Sequence, residues 1–163
     1  MEKHVFVKKF LPLAQQVSDM YGIHPVAVLA QCAVESGWGE SALAVRHHNY
    51  FGITGYGCTN AYWQGRKSEA SRSGLVFRSY DAPLNSFLDF GRLIASAYKA
   101  AAAVSHLYDA YAHEIAYSPY ISEQNGDNRS SYKRMISRIC HSLDTIINAK
   151  NTNNESRESP QDC

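Results

Sequence analysis

The chain has 163 residues, 45% of them hydrophobic and 19% charged, which is the composition of one globular domain and excludes general disorder. Sixteen Lys and Arg stand against fifteen Asp and Glu, so a net charge of +1 offers no broad attraction to nucleic acid or to an anionic membrane. The uncharged, largely apolar stretch Met20 to Val34 contains His24 and Pro25 and is too short to span a bilayer.

In chain order, Phe6, Phe10, Leu13, Val17 and Met20 are spaced 4, 3, 4 and 3, which predicts one face of an amphipathic helix. Lys8 and Lys9 interrupt its apolar run, so the N-terminus reads as part of the fold rather than as an export signal. Tyr21 to Pro25 breaks this helix, and Pro25 suits the first position of the next. Val26 to Ser36 (VAVLAQCAVES) is apolar on nearly every side, which predicts a helix buried in the middle of the domain. Gly37 and Gly39 end it, and Glu40 to Arg46 forms a short helix.

From Asn49 to Tyr80 the texture changes to short aromatic and β-branched pieces separated by Gly and Ser. This predicts a small β-hairpin lobe with a polar tip between Gly65 and Gly74. Asp81 is the expected N-cap of a helix carrying Leu84, Phe87, Leu88, Gly91, Ile94 and Tyr98. A further helix over Ser105 to Ala116 places Leu107, Tyr108, Tyr111 and Ile115 on one side. Tyr117 to Ser130 reads as a polar loop, and the last helix carries Tyr132, Met135, Ile136, Ile139, Leu143 and Ile146. One ordered domain is expected over 1–149, with a disordered polar tail over 150–163. Cys32 and Cys140 fall on apolar stripes as core residues, and the four cysteines form neither a disulfide scaffold nor a zinc motif. The fold class is mainly α with one small β-hairpin lobe.

Glu35 carries the chemistry. It closes the buried helix immediately before Gly37-Trp38-Gly39. Burial among apolar neighbours and the negative end of the helix dipole both disfavour its charged form, so its pKa is expected to rise. A carboxyl group that keeps its proton near neutrality serves as a general acid. Eleven tyrosines among 163 residues add the expectation of a lined, partly wet cleft.

The run Glu35-Ser36-Gly37-Trp38-Gly39-Glu40-Ser41-Ala42-Leu43-Ala44, followed by Asn49-Tyr50-Phe51-Gly52-Ile53, resembles the glucosaminidase family of peptidoglycan hydrolases, glycoside hydrolase family 73. Tyr62-Trp63-Gln64-Gly65, Phe77-Arg78-Ser79-Tyr80-Asp81 and Tyr132 extend the resemblance from Phe6 to Asn148. It implies a lysozyme-like helical domain with a β-lobe beside a sugar groove. It also implies cleavage of the β-1,4 bond after N-acetylglucosamine in the bacterial cell-wall glycan. Glu35 matches the family's catalytic acid. Glu69, 34 positions on and flanked by Arg66, Lys67 and Arg72, is the candidate second carboxylate. Tyr132 or Tyr120 is the candidate for orienting the sugar's acetamido group in a substrate-assisted alternative.

Trp38, Tyr50, Tyr56, Tyr62 and Trp63 are the candidates for stacking on sugar faces, and Gly52 for close backbone approach. Asn49, Phe51, Tyr117 and Tyr120 complete the expected groove, with Glu123 and Asp127 on an expanded loop beside it. Adjacent His47 and His48 lack a third ligand at suitable spacing, so no metal or cofactor is expected. The alternatives are an N-acetylmuramidase or lytic transglycosylase on the same fold, or a glycan-binding module without catalysis. The expected partner is the peptidoglycan strand, met by a monomer in the periplasm or cell wall. The expected setting is a phage component, a fragment of an exported autolysin, or a delivered toxin with an immunity protein over its groove.

Overall fold

The computed structural model describes residues 1–122 and 128–155. Among the described residues seven helices run in the order α1 (Lys3–Tyr21), α2 (Pro25–Ser36), α3 (Ala42–His47), α4 (Pro83–Ala97), α5 (Lys99–Ala103), α6 (Tyr108–Ala116) and α7 (Asn128–Glu155). The fold is mainly helical, as the periodicities predict. The central α2 packs against α1 and α7, α4 packs on α1, and α6 lies along α7.

The buried stripe of α1 is Phe6, Val7, Phe10, Ala14 and Val17. Leu13 is only half-buried and Met20 is 59% exposed, which corrects the predicted stripe. A helix drifts about 20° per heptad against a 3.5-residue repeat, so Met20 has rotated off the face that Phe6 defines. At Gly91 on α4, an added Cβ would lie 2.7 Å from Val17 and 2.8 Å from Tyr21, so glycine sets the close approach of α1 and α4.

His24 caps α2 by accepting from the Val26 N–H at 3.2 Å, with Pro25 at the first position. Nine of its twelve residues are buried, as an all-round apolar helix requires. Gly37, Trp38 and Gly39 all take positive φ, at 55°, 59° and 82°. This left-handed run ends the helix directly behind Glu35. Ser36 secures the turn by donating to the Cys32 carbonyl at 2.5 Å and accepting from the Gly39 N–H at 2.8 Å.

The lobe between α3 and α4 differs from the predicted hairpin. Its antiparallel pairing is reduced to two isolated bridges, Thr54 with Phe77 and Lys67 with Arg78. Ser68 and Ser79 donate backbone N–H groups to Phe77 and Arg66, and Ser71 to Leu75, without forming a continuous ladder. Gly and Ser leave this segment few cross-strand side chains to stabilise regular strands. Asp81 pairs with Arg66 instead of capping α4, which begins at Pro83 after Ala82.

The predicted helix over Ser105 to Ala116 is α6, starting at Tyr108, with Leu107 exposed before it. The short α5 was not predicted from its alanine-rich, aperiodic sequence. Helix α7 starts inside the predicted polar loop, at Asn128, and runs past Lys150 to Glu155. The rest of the expected tail lies outside the described residues, as do Glu123 and Asp127. Cys32 and Cys140 are free and buried, and Cys58 is free and exposed. Among the described residues no helix is long and apolar enough to cross a membrane.

Candidate active site

Glu35 sits in the last turn of α2, half-buried at the wall of an open groove of about 550 Å³. Burial pushes its carboxyl above the ordinary glutamate range, and this outweighs a hydrogen bond from Tyr132 that acts the other way. Tyr132, near the start of α7, donates to Oε1 of Glu35 at 2.8 Å. Gln31, one turn before Glu35 on α2, donates through Nε2 to the Tyr132 hydroxyl at 3.4 Å. Tyr111 of α6 in turn donates to Oε1 of Gln31. Three helices therefore contribute one directed relay, every donor pointing toward Glu35. Burial also holds the Tyr111 and Tyr132 hydroxyls well above the ordinary tyrosine range, so both remain donors. Because Oε1 accepts from Tyr132, Oε2 is the oxygen that this bond leaves to hold a proton.

Around Glu35 the groove is lined by Phe51, Gly52, Ile53 and Thr54 from the lobe, and by Tyr98, Tyr120, Ile121 and Tyr132 from the helical side. Asn49 builds the lobe wall. Its amide donates to the carbonyls of Ile53 and Arg78, both at 2.9 Å, and its Oδ1 accepts from the N–H groups of Phe51 and Ile53. Gly52 holds a φ of 65° within this loop, a left-handed conformation suited to glycine.

Beneath the groove, the fully buried Asp89 of α4 accepts four hydrogen bonds. Asn60 and Arg92 donate to Oδ1 at 2.9 and 2.8 Å, and Arg78 and Tyr80 donate to Oδ2 at 2.9 and 2.5 Å. This node ties the irregular lobe to the helical body.

The structure gathers Glu35, Tyr132, Tyr120, Phe51 and Gly52 at one groove, with Tyr56, 57% exposed, on its lobe side. Other expected residues lie elsewhere. Trp63 is 2% exposed, with the Arg78 guanidinium 4.0 Å above its ring, so it supports the lobe core and is closed to a sugar. Tyr50 is buried between Phe10 and Phe87. Trp38 packs edge-on to Phe6 behind the Glu35 turn. The Tyr62 hydroxyl meets that of Tyr21 at 2.6 Å, and Tyr117 stacks on His113. None of these five lines the groove. Packing against α1 and α4 takes up Tyr50, Trp38 and Tyr62, Arg78 covers Trp63, and Tyr117 lies exposed at the end of α6, away from the groove lining.

Glu69 also lies outside the groove lining. Its side chain is 91% exposed at the lobe tip, with His47 Nε2 at 3.4 Å. Its backbone hydrogen bond and His47 hold its carboxyl below the usual glutamate range, keeping it ionised. His47 and His48 are half-buried, and His47 also meets Ser79 at 3.1 Å.

The profile of the glucosaminidase family, described as mannosyl-glycoprotein endo-beta-N-acetylglucosaminidase, matches residues 11–145. The chain belongs to the glucosaminidase family. Among curated relatives, the peptidoglycan hydrolase FlgJ of Pseudomonas aeruginosa is 30% identical over 99 residues, covering 52% of this chain and 24% of that protein. The chain thus spans about a quarter of that relative's length. The solved glycoside hydrolase domain of Salmonella typhimurium FlgJ matches with a TM-score of 0.72 at 20% identity, covering 96% of this chain and 98% of that one. A type VI secretion effector–immunity complex from Pseudomonas protegens matches with a TM-score of 0.65 at 19% identity, covering 88% and 92%. These likenesses show that the glucosaminidase chain has the fold of those domains.

Sequence reasoning missed Gln31, Tyr111, Tyr98 and the Asp89 node of this glucosaminidase. A polar Gln31 inside an otherwise apolar helix was the available signal, because a buried amide needs partners. Asp89 carried the same signal, standing between Leu88 and Phe90 on a helix face.

Proposed function

We propose that this chain hydrolyses the β-1,4 bond after N-acetylglucosamine in bacterial cell-wall glycan, with Glu35 as the general acid. The observation that carries the reading is a half-buried carboxyl with raised proton affinity on a groove wall, one oxygen fixed by Tyr132. Membership of the glucosaminidase family supports the bond type.

In the first step the C1–O4 bond breaks, and Glu35 gives the proton on Oε2 to the departing O4. The ionised Glu69 is the second carboxylate of this reading. Carried over the glycan by the lobe tip, it takes a proton from the water that attacks C1. The Glu69 side chain is 91% exposed and meets α3 at His47 across 3.4 Å, which supports such a movement. If Glu69 stays outside, the acetamido oxygen of the sugar, oriented by the Tyr132 or Tyr120 hydroxyl, attacks C1 as C1–O4 breaks, and water then attacks C1, breaks the C1–O bond of the resulting oxazolinium ring and gives its proton to the Glu35 carboxylate. Tyr56, Tyr98 and Tyr120 offer ring faces and edges to the sugars.

The test is product analysis after incubation with purified sacculi. Release of fragments ending in reducing N-acetylglucosamine, lost in Glu35→Gln, is the expected result. Reducing N-acetylmuramic acid or anhydromuramic ends would assign the muramidase or transglycosylase reaction instead. Sacculus binding without any cleavage would leave a glycan-binding module.

The partner in this reading is the glycan strand, met by a monomer in the periplasm or cell wall. Fold likeness to the P. protegens effector supports one further partner, an immunity protein seated over the groove of a delivered toxin. A tagged chain that captures no protein from its producing cells would remove that partner.

A further inference from the structure

Two arginines share the buried Asp89, and their remaining nitrogens have different fates. Arg78 also borders the groove, but each of its three nitrogens donates to a protein acceptor. Its Nε donates to the Thr54 carbonyl at 3.1 Å, Nη1 to Asp89 at 2.9 Å and Nη2 to the Tyr56 carbonyl at 2.6 Å. Its guanidinium plane also covers Trp63. Arg92 is anchored by Nε alone, 2.8 Å from Asp89 Oδ1. Among the described residues its two terminal nitrogens have no hydrogen-bond partner, yet Arg92 lines the groove and is 32% exposed.

The local charge is unbalanced. Asp89 contributes one negative charge against two guanidinium groups, and the remaining ionisable carboxyl of the groove lining, Glu35, favours its neutral form. Among the described residues one positive charge therefore faces the groove without a counter-charge. A guanidinium held through Nε presents its terminal nitrogens in a fixed fork, which suits a planar carboxylate. A neutral polysaccharide gives such a group no counter-charge.

We propose that Arg92 binds a carboxylate borne by the glycan and so selects anionic peptidoglycan over neutral N-acetylglucosamine polymers. This rests on the hydrolase reading above. Two groups supply that chemistry, the lactyl carboxylate of a peptide-free strand and the carboxylates of the attached peptide. Arg92 is a specificity-determining residue in this account, anchored by Asp89, and takes no part in proton transfer.

The experiment measures initial rates for the wild type and Arg92→Gln on native sacculi, on peptide-stripped glycan strands and on sacculi whose carboxylates have been converted to amides. Wild-type kcat/KM is expected to fall about ten-fold on amidation, chiefly through KM, as loss of one charge-assisted pair implies. Arg92→Gln is expected to lose about as much on an anionic substrate and less than two-fold on the amidated one. Loss on the stripped strands identifies the lactyl carboxylate, and loss confined to native sacculi identifies the peptide. Wild-type rates that amidation leaves unchanged both on native sacculi and on the stripped strands overturn the proposal without any variant, so a folding defect in Arg92→Gln does not shield it. Equal losses by Arg92→Gln on all three substrates overturn it as well. Wild type that releases no saccharide from any substrate overturns the hydrolase reading, and the role of Arg92 with it.

Discussion

Tyr132 on α7 donates its hydroxyl hydrogen to Oε1 of Glu35 on α2 at 2.8 Å, a contact that joins residues 97 positions apart. In the proposed reaction Oε2 is then the oxygen that carries the transferable proton. The same bond partly offsets the cost of burying the carboxylate, so the proton affinity of Glu35 is raised by burial yet moderated by its partner.

Glu35→Gln is expected to lower the rate of glycan cleavage by at least about 10³-fold, within the range of a lost general acid. Its effect on stability depends on pH. The folded-state pKa of Glu35 lies above its unfolded value, so its stabilising contribution is present at low pH and disappears as pH rises through the folded pKa. The melting temperatures of Glu35→Gln and wild type should therefore converge at low pH, with the variant gaining above the folded pKa of Glu35. A constant difference across pH 3 to about 9 would contradict burial as the cause of the shift.

Tyr132→Phe removes the donor that lowers the Glu35 pKa, so that pKa should rise further. The basic limb of the pH–rate profile, where Glu35 loses its proton, should move to higher pH. Activity at the optimum should fall about ten-fold or more as the carboxyl loses its fixed orientation. An unchanged basic limb would show that Tyr132 does not act through Glu35.

Glu69→Gln separates the two routes for the second step. Glu69 is fully exposed and ionised at the lobe tip, so its substitution should leave the melting temperature unchanged. Loss of more than about ten-fold in cleavage rate is expected from its role as base. Full activity would hand the second step to the acetamido group of the sugar.

Asp89→Ala is expected to destabilise the domain by about 3–5 kcal/mol, the cost of leaving buried partner charges uncompensated. Its four hydrogen bonds reach the lobe through Asn60, Arg78 and Tyr80, so denaturation should begin there. Chemical denaturation would measure the loss, and hydrogen exchange would locate it. A change below about 1 kcal/mol would sink the account of Asp89 as the node of the lobe.

What was legible in the sequence was local. The central helix follows from the unbroken apolar run before Glu35, and the turn behind it from Gly37 and Gly39, because turns and helix ends depend on neighbouring residues. The raised proton affinity of Glu35 also follows from residue pattern, whereas Tyr132 was legible only as a further match to the family and not as a partner of Glu35. The tertiary structure decided which polar groups share one carboxylate, and in which direction each hydrogen bond runs. Gln31 and Tyr111 become a relay, and Arg78 is spent while Arg92 is not, only when α2, α4, α6 and α7 have packed. Packing also removed Trp63 and Tyr50 from the sugar groove, since a ring gains more from a filled core than from a wet edge, and spacing along the chain is blind to what lies opposite.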